Sequence, residues 1–219
     1  MPLINDEYRK LLTSEFQKIL VHDVKLIVFI KDGEDCKYCA ETVTLCNELT
    51  ELNKKITCDV VKENDPLVSK YNIEKYPAII VTGNGIEDSR VRYYGIPSGY
   101  EFGTLIEDIE EVSRAKKEID EKALAKISTI NKPVRIKVFV TPTCPYCPRA
   151  VKIAHKFAIA NPNIIGEMIE THEFQEDAAK FGVSSVPHIV INDDVQFVGA
   201  LPEEEFANNV LEAFNKMNQ

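Results

Sequence analysis

The sequence predicts an α/β protein made of two tandem units sharing one internal plan, and three observations carry that reading. Two C-x-x-C pairs, Cys36-Lys37-Tyr38-Cys39 and Cys144-Pro145-Tyr146-Cys147, stand 108 positions apart in a chain of 219 residues. A short run rich in β-branched residues precedes each pair, and a helical pattern of apolar residues follows it. Later segments of the two halves match as well, so the spacing marks a repeat.

Each half opens with an amphipathic helix, carried by Tyr8, Leu11, Leu12, Phe16 and Ile19 in the first and by Ile119, Ala123, Leu124 and Ile127 in the second. A buried or half-buried strand follows, Leu26 to Ile30 between Lys25 and Lys31, and Ile136 to Val140 between Arg135 and Thr141. After the cysteines, Val43, Leu45, Cys46, Leu49 and Leu52 recur at helical spacing, as do Val151, Ile153, Ala154, Phe157 and Ala158. Both pairs therefore sit at a strand-to-helix junction. Ile56 to Val61 and Ile164 to Ile169 read as second strands. The segment from Tyr71 to Val81 then resembles that from Phe181 to Ile191, and Gly95 and Phe102 recur as Gly199 and Phe206 before a closing helix. Each half thus runs helix, strand, helix, strand, helical turn, strand pair, helix.

Glu110 to Glu121 is charged and helical in pattern, without a Gly- or Pro-rich linker. The boundary is placed near Ala115, giving units 1–115 and 116–219, and so stiff a connection is expected to hold them packed together.

Composition narrows the function classes. The charge of -9, from 26 Lys and Arg against 35 Asp and Glu, repels a phosphate backbone, so nucleic acid is not an expected partner. No apolar run approaches the roughly 18 residues of a membrane span. The N-terminal stretch lacks the basic start and apolar core of a secretory signal, which places the chain in the cytoplasm. Six cysteines in that compartment point to redox catalysis or metal binding before structural bridges. High Lys and Glu with only four Gln fits a thermophilic source.

The residues quoted above also carry a family resemblance. Each half resembles a thioredoxin or glutaredoxin unit. The tandem with CxxC in both resembles the glutaredoxin-like protein disulfide oxidoreductases of hyperthermophilic archaea and bacteria. The resemblance covers nearly the whole chain and rests most on Cys144-Pro145-Tyr146-Cys147 and on Pro77 and Pro187, which lie 41 and 43 positions after the first cysteine of each pair. It implies two tandem thioredoxin-like units, each a central mixed sheet flanked by helices, with cis prolines at 77 and 187 facing the disulfides. It further implies a protein disulfide oxidoreductase that takes protein disulfides as substrates, is recharged by a flavin-dependent thioredoxin reductase, and carries no bound cofactor or metal.

Disulfide exchange needs one thiolate that attacks and a second thiol close enough to resolve the mixed disulfide. Two residues of spacing on a first helical turn supply both, and the unpaired N–H groups there favour a negative sulfur. Cys36 and Cys144 are assigned as nucleophiles, Cys39 and Cys147 as resolving thiols. By the resemblance, the backbone of Tyr76 and Val186, each preceding its proline, pairs with an extended substrate segment. Cys36 has Asp32, Glu34 and Asp35 close before it, with Lys31 and Lys37, whereas Cys144 has Thr141, Thr143 and Arg149 nearby. Cys144 is therefore expected to have the lower pKa and to do most of the substrate chemistry.

The same residues admit other readings. Zinc pairs usually stand roughly 15 to 20 residues apart, against 104 residues between Cys39 and Cys144. Permanent bridges across a four-residue ring would constrain the unfolded chain little. Cys46 and Cys58 read as buried free thiols, with a Cys46–Cys58 bridge as the alternative. His188 reads as a hydrogen-bonded strand histidine. The chain also departs from relatives: Ile30 and Val138 stand where thioredoxins carry a buried carboxylate, and Gly199-Ala200-Leu201-Pro202-Glu203-Glu204-Glu205 replaces the glutathione-binding segment of glutaredoxins. A peptide-binding chaperone and an electron relay serving one peroxidase are the rival functions.

Overall fold

A computed structural model describes residues 2–33, 36–86, 88, 90–114 and 118–217. The chain divides into two compact units, one of residues 1–89, 94–96 and 107–116 and the other of 90–93, 97–106 and 117–219.

The first unit begins with α1 (Asp6–Ile19), whose first turn is capped by Asn5 accepting from the Tyr8 N–H. Asp6 and Glu7 at its start and Lys18 at its end oppose the helix dipole. Leu12 and Phe16, four apart, face the core; Tyr8 and Leu11, expected there from periodicity, are exposed instead. Strand β1 (Val24–Ile30) is central, pairing in parallel with β2 (Ile56–Lys62) and antiparallel with β3 (Ala78–Thr82). Its Leu26, Val28 and Phe29 are fully buried, as a strand covered on both faces requires. Helix α2 (Cys39–Thr50) joins β1 to β2. The short α3 (Pro66–Tyr71) starts on Asp65 with proline inside its first turn and stops at Asn72, whose left-handed φ of 51° ends the helix. Strand β4 (Val91–Tyr94) and helix α4 (Tyr100–Arg114) complete the first repeat.

The second repeat follows the same order: α5 (Glu121–Ile127), β5 (Val134–Val140), α6 (Cys147–Ala160), β6 (Ile164–Glu170), α7 (Gln175–Lys180), β7 (His188–Ile191), β8 (Val195–Val198) and α8 (Glu203–Lys216). The periodicity across Glu110 to Glu121 is not one helix. Asp120 turns its carboxylate onto the Lys122 and Ala123 N–H groups and starts α5 afresh, leaving Ile119 outside it. Residues 115–117, including the expected boundary at Ala115, lie outside the described residues. Strand β5 pairs in parallel with β6 and antiparallel with β7, which forms a hairpin with β8. Asn192 and Asp193 turn that hairpin at φ values of 52° and 60°, the two left-handed positions of a type I′ turn. Each repeat is thus a mixed sheet flanked by helices. Phe206 of α8 meets Phe157 and Phe197 edge-on at 5.7 and 5.1 Å.

Two buried carboxylates are fully committed to the fold. In β6, Glu167 is completely buried and accepts from Arg135 Nε at 2.8 Å and Arg92 Nη1 at 3.4 Å. In α2, Glu48 accepts the Leu3 and Ile4 N–H groups, both at 2.9 Å, and pairs with Arg9 at 3.2 Å. Burial pushes the Glu48 carboxyl upward, but the two backbone donors and Arg9 outweigh it and hold its pKa below the ordinary value. A depressed folded pKa means the stabilisation is present above the unfolded value, about 4.3, and is lost as pH falls through the folded one. Thermal melts of wild type and Glu48→Gln should therefore differ at pH 7 and converge on acidification; a constant gap down to the acid limit refutes this.

Candidate active site

Both cysteine pairs stand where β1 and β5 hand over to α2 and α6. Each pair is closed as a disulfide, with Cα separations of 5.4 Å for Cys36–Cys39 and 5.5 Å for Cys144–Cys147. Tyr38 and Tyr146 occupy the N-cap positions without a side-chain cap, so first-turn N–H groups stay available to sulfur. In the second couple Cys147 N–H donates to Cys144 Sγ at 3.1 Å. In the first, Lys31 N–H donates to Cys39 Sγ at 3.5 Å. Cys36 and Cys144 each keep 8% of their surface exposed, whereas Cys147 keeps none. Tyr146, by contrast, is 71% exposed and offers an aromatic face beside Cys144.

The prolines repeat as faithfully. Tyr76–Pro77 and Val186–Pro187 are both cis. Gly95 and Gly199, at positive φ of 91° and 99°, donate their N–H groups to the Pro77 and Pro187 carbonyls at 2.9 Å. The positive φ explains why glycine recurs there, since a residue with a Cβ would be strained in that conformation. Cys144 Sγ lies 3.7 Å from the Val186 carbonyl oxygen, which brings the second couple and its proline segment together. Burial pushes the Tyr76 hydroxyl above its ordinary pKa, aided by Glu63 and opposed by Lys31.

Val138 is fully buried and Ile30 half-buried, both of them apolar. The sequence reading missed Glu170, the last residue of β6, paired in register with Val140 just ahead of the second couple. It is buried; Oε2 accepts the Glu173 N–H at 2.7 Å, while Oε1 accepts no hydrogen bond among the described residues and lies 3.1 Å from His172 Nδ1. The matching end of β2 is Lys62, which pairs with Asp32 at 2.9 Å. Internal repeat alignment could have flagged that exchange of charge. Glu34 and Asp35 lie outside the described residues. His188 is buried, with Nε2 at 2.9 Å from Gln196 Oε1. Glu203 and Glu204, in the segment replacing the glutathione site, bind the Asp120 N–H and Lys126 instead. Among the described residues no three His, Cys, Asp or Glu side chains gather in a metal-binding group.

Two helix-start cysteine couples, each in a repeat with a cis proline before β3 or β7, define a dithiol–disulfide protein of the thioredoxin fold. Residues 134–212 match the thioredoxin domain family. A protein disulfide oxidoreductase from Aeropyrum pernix is similar over 97% of this chain and 94% of its own, with 30% identity and a TM-score of 0.87. The chain belongs to the protein disulfide oxidoreductases. The alkylhydroperoxide reductase AhpF of Enterococcus faecalis shares the fold at a TM-score of 0.85 and 24% identity, over 94% of this chain and 98% of that one. An alkyl hydroperoxide reductase chain of Staphylococcus epidermidis is 27% identical over 82% of this chain and 32% of its own length. The chain spans about a third of the length of the curated relatives it matches.

Proposed function

We propose that the chain catalyses thiol–disulfide exchange on protein substrates through both couples, reducing, forming or rearranging disulfides according to its reduction potential against the surrounding thiol pool. The observation that carries this reading is Cys144 Sγ, which accepts from the Cys147 N–H at 3.1 Å and lies 3.7 Å from the Val186 carbonyl oxygen. In the reduced enzyme the same N–H stabilises a Cys144 thiolate. That thiolate attacks a substrate disulfide, forming a mixed disulfide and releasing one substrate thiol. Cys147 then loses its proton and attacks Cys144 Sγ, closing the couple and freeing the second substrate thiol. Tyr76 and Val186 present backbone to an extended substrate segment, and Pro77 and Pro187 flank it. The functional units are 1–115 with Cys36 and Cys39, and 116–219 with Cys144 and Cys147.

A flavin-dependent reductase of the thioredoxin reductase type supplies electrons, and the cytoplasm is the compartment that fits a thiol enzyme of this composition. No helix among the described residues is long and apolar enough to cross a membrane. The deciding experiment is dithiothreitol-driven insulin reduction together with suppression of client aggregation. Cys36→Ser, Cys144→Ser should lose insulin reduction; retained reduction refutes exchange at these couples, and retained aggregation suppression alone marks a chaperone. The resemblance to alkyl hydroperoxide reductase favours a narrower second reading, an electron relay to one peroxidase. A relay would leave insulin intact while reducing its peroxidase.

A further inference from the structure

Two of the six cysteines stay outside the catalytic couples, and the fold brings them together. Cys46 is on α2 with no exposed surface; Cys58 is in β2 and half-buried. Their thiols are within hydrogen-bonding reach of one another. The internal repeat supplies the equivalent crossing in the second unit. Positions 46 and 58 correspond to 154 and 166, each 108 further on, the offset that also relates Cys36 to Cys144 and β2 to β6. At that second crossing helix and strand approach so closely that a Cβ on Gly166 would lie 2.7 Å from the Ala154 carbonyl oxygen. In the second unit the two positions thus face each other across the helix–strand packing, at a spacing only a glycine permits. The second unit fills them with Ala154 and Gly166; the first fills both with cysteine.

We infer that Cys46 and Cys58 form a third redox couple, closing to a disulfide that staples α2 to β2 when the chain meets a small-molecule disulfide such as oxidised glutathione. The direction of attack follows from access, Cys58 being half-buried and Cys46 sealed from solvent. The hydrogen bond from Cys46, against the effect of burial, holds the Cys58 thiol below its ordinary pKa. The same bond, then burial, raises the Cys46 thiol well above it. Cys58, the accessible partner, attacks the external disulfide, forming a mixed disulfide and expelling one thiolate. Cys46 then gives up its proton and attacks Cys58 Sγ, forming the Cys46–Cys58 bond and expelling the second thiolate. Two protein thiols are oxidised, one external disulfide becomes two thiols, and the two protons pass to the departing sulfurs. Cys46 is sealed from solvent, so the bridge closes within one chain. Among the described residues no third metal-binding side chain joins the pair. Because α2 begins at Cys39, the staple anchors the helix that carries the first catalytic couple.

The test uses the full chain carrying Cys36→Ser, Cys39→Ser, Cys144→Ser and Cys147→Ser, so it does not depend on the proposed exchange activity. After treatment with oxidised glutathione and digestion without reductant, the peptides containing residues 46 and 58 should run as one species, lighter than their sum by two hydrogens. Adding Cys46→Ala should leave Cys58 as a lasting glutathione adduct. Recovery of both thiols in free form, or of two separate adducts, overturns the inference. The wild-type chain, treated identically, should yield the same joined peptides, so a folding defect in the variant would not hide the answer; their absence there also overturns it.

Discussion

Cys144→Ser is expected to leave roughly a tenth or less of the insulin-reducing rate, whereas Cys36→Ser should leave more than about half. A serine hydroxyl stays protonated near neutrality and cannot supply the attacking anion, so each substitution silences its own couple. The unequal outcome comes from the surroundings. Cys144 Sγ receives the Cys147 N–H at 3.1 Å, and the first turn of α6 carries Arg149 and no acid. The first turn of α2 carries Glu41, and Asp32 stands close before Cys36. Negative charge near a sulfur opposes the thiolate, while a donor and a cation favour it. Iodoacetamide alkylation of the reduced protein against pH checks the ranking directly. Cys144 should reach half-maximal reactivity at lower pH than Cys36; equal midpoints, or the reverse order, would remove the basis for the unequal rates.

Glu167→Ala should destabilise the second unit by about 3 to 5 kcal/mol, lowering its melting temperature by roughly 10 °C. The carboxylate is completely buried and bonded to two guanidinium groups, one of them, on Arg92, with only 4% of its side chain exposed. Removing it takes this carboxylate partner from both guanidinium groups, and breaking a buried ion pair from one side costs more than the pair itself contributes. Glu167→Gln keeps the shape and an acceptor oxygen and should cost less. Urea unfolding at constant m-value would measure both; an alanine variant within about 1 kcal/mol of wild type would refute the cost assigned to this pair.

How far the fold was readable from the chain follows from which interactions are local. The strands around the couples were visible because β1 and β5 are largely buried and read as short runs rich in β-branched residues, broken in β5 by Lys137, although both begin two residues earlier than those runs, at Val24 and Val134. The helices after the couples were visible through their spacing. Helix α1 was visible too, but its covered face was not: periodicity admits Leu11 as readily as Leu12, and only packing decides between them. The break at Asp120 was hidden because charged residues on both sides suit a helix equally well. Glu167 and Glu170 were out of reach for a different reason. An acid alternating with apolar residues in a strand normally marks a solvated face, and what covers that face is supplied by distant segments such as Arg92. The juxtaposition of Cys46 and Cys58 was half visible, as two apolar-face thiols, and needed the helix–strand crossing to become a pair.

The burial of Cys147 has a practical corollary. With no surface of its own, this sulfur can be reached only from within, through Cys144. A client tethered to Cys144 in a chain lacking Cys147 would have no internal route of release and would wait for an outside thiol. The second couple is thus built so that one silent replacement turns a turnover catalyst into bait for its own physiological targets.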